Sequence, residues 1–481
     1  MHWRAIFRLF GVLLLIYSLS FLPSIFVALV YRDGQSIVFA FSLFISAFVG
    51  LIFWLPNREK HGELSVREGF LIVTLFWVVL GGVGALPFIF GLNIGFTNSV
   101  FESISGFTTT GATVIVGLDE LPPSILYHRQ QIQWLGGMGV IVLAVAILPL
   151  MGVGGMQLYR AEASGVAKHE KPTPRIAETA RALWMIYLGL TVGCSVSFWF
   201  AGMTIFDAIG HAFTTVATGG FSTHDASLGY FNSKAIELIA IFFMVAGGVN
   251  FAVHFLVWRK LSLGYYFTDP EVKAYFLIFF SGAFFVAASL FATETYPTVS
   301  ESIRHAFFQV ASILTSTGFG TANFSAWPLH IPLTLVILSF IGGCGGSTAG
   351  GIKVMRIILL GKLGVRQLHQ LIHPRAKIAV KIGGRPISDE ILFSVWGFYV
   401  LYIVVSLLLT VAMMAAGLDF ESAFGAVVAT INLLGPGLGD VASNFAAVDP
   451  VIKWLGVFSM LAGRLEIFTL IILFIPSYWK N

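Results

Sequence analysis

Four short stretches of this chain end in a glycine turn of one kind: Phe107-Thr-Thr-Thr-Gly111-Ala, Thr215-Val-Ala-Thr-Gly219-Gly, Leu314-Thr-Ser-Thr-Gly318-Phe and Ile431-Asn-Leu-Leu-Gly435-Pro. Aligned on that glycine they lie 108, 99 and 117 residues apart. None carries an acid, a histidine or a cysteine, so their chemistry is that of backbone carbonyls. A turn that aims carbonyls at an axis needs φ values that a Cβ disfavours, which glycine supplies. Four such turns around one axis make a ring of carbonyl oxygens able to replace the hydration shell of a monovalent cation. Glycine is also frequent where membrane helices pack closely, but packing glycines have no reason to recur in register at the end of every short segment.

Three further features could act near such a ring. The first is Gly342-Gly-Cys-Gly-Gly-Ser-Thr-Ala-Gly-Gly351, which no regular helix holds without strain. It reads as an unwound loop lining a cavity, where irregular backbone is tolerated at membrane depth, or as a packing hinge. It is not a phosphate-binding loop, because Ile352 separates Gly351 from Lys353, no Ser or Thr follows the lysine, and no strand precedes it. The second is Arg464, a charge inside an apolar run, where it must face protein or water, either in a permeation path or in an ion pair with Glu466 or another carboxylate. The third is the set Asp119, Glu120, Asp225 and Asp440 just beyond the turns, which could concentrate cations or stand as solvated loop acids. Gly437-Leu-Gly-Asp440 with Asp207 would suit an intramembrane aspartyl protease, but Asp440 is followed by a polar loop, Asp207 precedes a short dip, and neither acid sits mid-helix. His211, His254 and His305 show no metal-ligand spacing, and no metal site is expected beyond the cation ring itself.

The elements that must position these residues are membrane helices. Of 481 residues, 57% are hydrophobic and 11% charged, and the mean hydropathy is +0.87, beyond what a water-soluble core needs. Apolar runs near the length of about 20 residues that crosses a bilayer predict ten spans, at 10–31, 36–55, 70–92, 131–150, 182–201, 235–257, 274–291, 331–347, 391–416 and 454–475. The first follows Arg4 and Arg8 but has no small-residue cleavage site and is read as a retained helix. With both termini cytoplasmic, only Arg32, Arg129, Lys234, Arg304 and Lys453 of the 28 Lys and Arg residues fall outside and Arg464 within a span, as the positive-inside rule requires. The net charge of +4 then describes topology and calls for no nucleic-acid partner. Cys194 and Cys344 lie in apolar segments, so no disulfide framework is implied.

Between spans lie apolar pieces too short to cross, typical of re-entrant segments. A second glycine follows each turn, Gly137, Gly248, Gly343 and Gly463, at 26, 29, 25 and 28 residues. The expected fold is an all-α polytopic membrane protein: an N-terminal two-helix domain (1–62) and four span, pore-helix, span repeats (63–155, 156–260, 261–375 and 376–481) around a central pore.

Thr-Thr-Gly-Ala-Thr, Ala-Thr-Gly-Gly-Phe, Ser-Thr-Gly-Phe-Gly and Leu-Leu-Gly-Pro-Gly resemble the four filter loops of the Trk/Ktr/HKT superfamily of potassium transporters, and the resemblance covers essentially the whole chain. It implies potassium uptake across a bacterial cytoplasmic membrane and no enzymatic activity. The implied filter is Thr110, Gly111 and Ala112; Thr218, Gly219 and Gly220; Thr317, Gly318 and Phe319; and Leu434, Gly435 and Pro436. In that family a serine at the position of Gly111 goes with sodium permeation, so glycine implies potassium; Leu434 in the fourth loop departs from the Thr-Gly pattern. The resemblance also implies a gating loop (Gly342, Gly343, Gly345, Gly346, Ser347, Thr348, Ala349, Gly350, Gly351 and Lys353) and an electrostatic barrier at Arg464. The implied partners are a second copy of the chain, the lipid bilayer and a cytosolic TrkA-like regulatory ring, with nucleotide (ATP/ADP or NAD) on that ring and no covalent cofactor here. The basic loop from Lys353 to Arg385, with Lys168–Arg175, is the expected dock. An ion-coupled (H+ or Na+) potassium symporter is the nearest alternative, since broken helices also bind cations at mid-membrane.

Overall fold

The computed structural model describes residues 1–58, 65–146 and 173–480. Lys60, Arg160, Lys168 and Lys171, the end of the expected fourth span, and the boundaries expected at 62/63 and 155/156 lie outside the described residues.

The chain opens with Trp3–Ser18 and Phe21–Tyr31, one span with a break at Leu19–Ser20, and returns as Ser36–Trp54. Gly11 and Gly50 face each other where these helices cross: a Cβ on Gly11 would lie 2.7 Å from Gly50 O, the close approach that small residues allow in membranes. Four units follow. Each begins with a long apolar helix, namely Arg67–Leu92, Thr173–Phe200, Pro270–Ala292 and Asp389–Ala415. Each then dips through a short pore helix, at Phe96–Phe107, Ile205–Val216, Val299–Leu314 and Phe420–Ile431.

The second spans of the second and fourth units are broken where uninterrupted helices were expected, and that of the third breaks at the glycine-rich run, as expected. In the first unit Pro123–Ala146 runs unbroken over 24 residues. In the second, Lys234–Gly247 and Phe251–Lys260 meet at 97°, and in the fourth, Pro450–Arg464 and Phe468–Phe474 meet at 113°. In the third, His330–Ile341 ends at the glycine-rich loop and the chain resumes as Val354–Ile372. Six described helices are long and apolar enough to cross a membrane as they stand, and up to eight spans result if each bent pair is counted as one; of the ten expected, the fourth ends outside the described residues and the eighth is the one interrupted by the glycine-rich loop. The breaks fall at Gly248, Gly342–Gly343 and just after Gly463, three of the recurring second glycines. A hydropathy average over about 20 residues sees the apolar content of a span and not a bend within it. The expected basic loop after Lys353 is likewise mostly the 19-residue helix Val354–Ile372, followed by a small hairpin pairing Lys381–Ile382 with Arg385–Pro386.

Two apolar cores hold the units. One joins the N-terminal helices with the first and fourth units through Phe21, Trp77, Phe101, Phe107, Tyr402 and Met460. The other joins the second and third through Tyr187, Phe198, Tyr275, Phe308 and Leu335. Large apolar side chains also cover the outside, with Phe26 68%, Ile37 78% and Phe200 78% exposed, as suits a surface solvated by lipid.

Candidate permeation site

The pore helices start where capping fixes them. Thr204, Thr298 and Asp419 accept from the backbone N–H of Asp207, Glu301 and Ser422, each with an acid in the first turn that favours the positive helix end. Their negative C-terminal ends all run into the glycine turns, an orientation that favours a cation. The closing bond is the same in every unit: Thr110 N to Ser105 O (2.8 Å), Gly219 N to Thr214 O (2.8 Å), Thr317 N to Ser312 O (2.8 Å) and Leu434 N to Ala429 O (2.9 Å).

This register corrects the sequence alignment in the second unit. Left-handed φ values pair at Thr109 and Gly111, Thr218 and Gly220, Ser316 and Gly318, and Leu433 and Gly435. The counterpart of Gly111 is therefore Gly220, and Gly219 stands where the other loops carry Thr110, Thr317 and Leu434. Two adjacent glycines make the alignment ambiguous; counting from the helix end resolves it, since each helix stops four residues before its glycine.

These glycines close a ring. A Cβ on Gly111 would sit 2.1 Å from Gly219 O, on Gly220 1.9 Å from Thr317 O, on Gly318 2.0 Å from Leu434 O, and on Gly435 2.8 Å from Thr110 O. Each loop presses its glycine against a carbonyl of the next, and the fourth returns to the first. No side chain fits at these positions unless a ring carbonyl moves.

Sequence reasoning missed what braces the ring. Glu102, buried in the first pore helix, accepts from Arg129 Nε (2.8 Å) and Nη2 (2.7 Å), from Val114 N (2.9 Å) and from Thr113 Oγ1 (3.0 Å). Arg129, expected only as an outer loop charge, is itself buried and donates from Nη1 to Ser222 O at 3.0 Å. Removing one partner of a buried pair leaves an uncompensated charge, so Arg129→Ala should lower stability by about 3–5 kcal/mol, read as thermal unfolding in detergent. Glu237 and Arg304 form a second such pair, at 2.6 Å through both Nε and Nη2, between the second and third units. No spacing rule flags pairs 27 and 67 residues apart.

Of the acids at the outer mouth, Asp119 and Asp225 tie two loops together. Asp225 accepts from Gly117 N (3.1 Å) and Leu118 N (3.0 Å), and Asp119 accepts from His224 and from Asp225 N (3.3 Å). Glu120 and Asp440 are exposed. The His224 bond holds the Asp119 carboxyl below its usual range. A lowered folded value means that the stabilising contribution is present above the unfolded value of about 3.9 and is lost as pH falls through the lower folded one. Asp119→Asn should therefore melt slightly earlier than wild type at pH 7, with the gap closing in strong acid. Asp207, the other carboxylate of the protease reading, is held by Thr204 (2.7 Å) and Thr223 (2.7 Å), as a structural acid would be. His211 is bonded to Asp207 O and Ser222 Oγ, both at 2.9 Å.

The glycine-rich loop lies against the inner ends of three pore helices. Thr348 Oγ1 contacts Val216 O (3.1 Å), Gly247 O (3.2 Å) and Thr218 Oγ1 (3.1 Å). Gly350 N donates to Ser316 Oγ (2.5 Å), and a Cβ on Gly350 would meet Asn432 O at 2.1 Å. Backbone bonds from Cys344 N to Gly248 O (2.8 Å) and from Phe251 N to Gly346 O (3.1 Å) splice the loop into the break of the second unit. Glu271 clamps both its ends, accepting from Gly345 N (2.7 Å) and Met355 N (3.1 Å), and Lys353 Nζ donates to Ala349 O.

Arg464 is the last residue before the break in the fourth unit, where a helix C-terminus favours a cation. Its Nη1 donates to Thr348 O at 3.0 Å, and its guanidinium lies 5.4 Å from the Trp77 ring centroid. Glu466 does not pair with it but binds Arg356 at 2.6 Å. Among the described residues Arg464 has no ion pair, so the carboxylate alternative finds no partner.

The family described as "TrkH: Cation transport protein" matches residues 34–481. The chain is 51% identical over 483 residues to the Trk system potassium uptake protein TrkH of Escherichia coli strain K12, covering 100% of both chains. It is 39% identical over 482 residues to the Trk system potassium uptake protein TrkG of the same strain, covering 100% of this chain and 99% of that one. The crystal structure of the potassium transporter TrkH from Vibrio parahaemolyticus matches with a TM-score of 0.93 at 49% identity, covering 100% of both chains.

Proposed function

The chain belongs to the TrkH family of cation transport proteins, and on that premise we propose that it takes up potassium across a bacterial cytoplasmic membrane, with the ring at Gly111, Gly220, Gly318 and Gly435 as its selectivity filter. It is a multi-pass membrane protein and a transporter, not an enzyme. The observation that carries the reading is the closed ring, in which each glycine abuts a carbonyl of the neighbouring loop. Carbonyl oxygens at the inner ends of four helix dipoles replace the hydration shell of K+. Below them the Gly342–Lys353 loop obstructs the path, and the charge of Arg464, fixed to Thr348 O, repels cations that have passed the ring.

Both termini face the cytoplasm, two copies associate in the membrane, and a TrkA-like ring carrying the nucleotide docks on the basic sequence segments 353–385 and 168–175 to withdraw the loop. A bacterial strain without potassium uptake systems tests the proposal: expression of this chain with such a ring should restore growth at micromolar external potassium. No rescue by well-expressed protein would overturn it. The three broken second spans favour a second reading, uptake coupled to H+ or Na+; it requires that potassium flux stop when the coupling gradient is collapsed.

A further inference from the structure

The four filter loops are not held alike. In the first, Thr110 Oγ1 bonds Thr108 Oγ1 at 2.7 Å, and in the third, Thr317 Oγ1 bonds Thr315 Oγ1 at the same distance. Each threonine pins its own backbone just before the ring glycine. In the fourth, Asn432, two residues ahead of Leu434, is locked by Tyr402 Oη and Ser339 Oγ. The second loop lacks the threonine–threonine bond, because Gly219 occupies the threonine position and Gly220 follows it; its Thr218 Oγ1 bonds Thr348 Oγ1 of the glycine-rich loop instead, one residue before the glycine pair. Two adjacent glycines leave the backbone more freedom than any other pair of residues, at the point where a ring carbonyl must be fixed.

A side chain from another unit fills that gap. Gln133, fully buried on the unbroken helix Pro123–Ala146, donates from Nε2 to Gly219 O at 2.6 Å and accepts on Oε1 from Phe221 N at 3.0 Å. The two bonds bracket Gly220. Gly219 O is also the oxygen that abuts Gly111, so the amide grips the seam between the first and second loops. Among the described residues it is the one carbonyl of the four in the ring that accepts from a side chain. One helical turn away on the same face, Arg129 continues the brace. Its guanidinium lies 4.1 Å from the Phe221 ring centroid and donates to Ser222 O, while Glu102 anchors it to Val114 of the first loop.

We propose that Gln133, supported by the Glu102–Arg129 pair, is a positioning residue for ion selectivity: it supplies from the first unit the constraint that threonine supplies within the first and third loops, and so fixes the Gly219 carbonyl against Gly111. The inference rests on the reading of this ring as the filter. It also explains how the second loop tolerates consecutive glycines without losing a defined geometry. A loosened carbonyl contracts around a smaller ion at less expense, so discrimination against sodium falls first.

The test compares potassium and sodium flux into liposomes for wild type, Gln133→Met, Gln133→Glu and Gly111→Ser, with gel filtration and thermal unfolding of each. Gln133→Met keeps the volume and removes both bonds; Gln133→Glu keeps an acceptor for Phe221 N and loses the donor to Gly219 O. Both should lower the potassium-to-sodium flux ratio by about five- to tenfold, the scale of one net hydrogen bond, in protein that remains folded. Unchanged ratios in folded Gln133 variants would overturn the proposal while a shift in Gly111→Ser leaves the filter reading intact. If Gly111→Ser is also unchanged, the filter reading itself fails. Loss of folding in both Gln133 variants would assign the residue to the scaffold and overturn the proposal too.

Discussion

Gly220→Ala is expected to abolish selective potassium uptake, whereas Gly219→Ala retains part of it. At Gly220 the backbone is left-handed, with φ of 77°, where an added Cβ costs roughly 1–2 kcal/mol by itself. That Cβ would also stand 1.9 Å from Thr317 O, closer than any contact allows, so the carbonyl of the third loop must leave the ring. At Gly219 the φ is ordinary, and the Cβ would meet the Gln133 amide at 2.5 Å, a side chain that can retreat at the expense of the brace. Flux per folded molecule, with potassium and sodium measured separately, distinguishes the two. Equal loss in both variants would return the ring register to the alignment on Gly219. Gly111→Ser places a Cβ at a φ of 82° and 2.1 Å from Gly219 O, so it too is expected to displace a ring carbonyl and lower preference for potassium over sodium.

Arg464→Ala should raise basal cation flux several-fold in the absence of any cytosolic regulator, with Arg464→Gln intermediate and Arg464→Lys near wild type. Two effects add. Repulsion between unit charges at 4 Å is about 4 kcal/mol at an effective dielectric of 20, and the Arg464 bond to Thr348 O tethers the loop that lies under the ring. Glutamine can keep a donor for that carbonyl but loses the charge; lysine keeps the charge. Shortening Gly345–Gly350 should act in the same direction and weaken regulation, because it removes the Gly350 bond to Ser316 and the Thr348 contacts to Val216 and Gly247. Lower thermal stability with unchanged flux per folded molecule would instead place Arg464 in the scaffold.

The fold was legible where a signal repeats. Four glycine turns in one frame pointed to the pore, and the run Gly342–Gly351 announced the break in the third unit. The breaks near Gly248 and Gly463 were not legible, since one or two glycines in an apolar run are ordinary in a membrane helix and only the three-dimensional bend distinguishes them. The second glycine turn was aligned one residue early because Thr218 precedes Gly219 as Thr110 precedes Gly111, although helix length assigns the ring position to Gly220. Arg464 stood out as a lone intramembrane charge, but its suggested partner Glu466 binds Arg356; two residues apart on the chain, the pair also straddles a bend of 113°. Glu102, Arg129 and Gln133 left no trace in the sequence. Their bonds cross between units, and an outer-loop arginine reads the same whether it is solvated or buried against a pore helix.

The most direct measurement of the central claim is cation flux into liposomes holding the purified protein, with potassium, rubidium, sodium and lithium compared under equal driving force. The ring of carbonyls predicts that potassium and rubidium enter well ahead of sodium and lithium, without need of a proton or sodium gradient. Equal entry of all four ions, or no entry of potassium in folded protein even after Arg464→Ala, would contradict it.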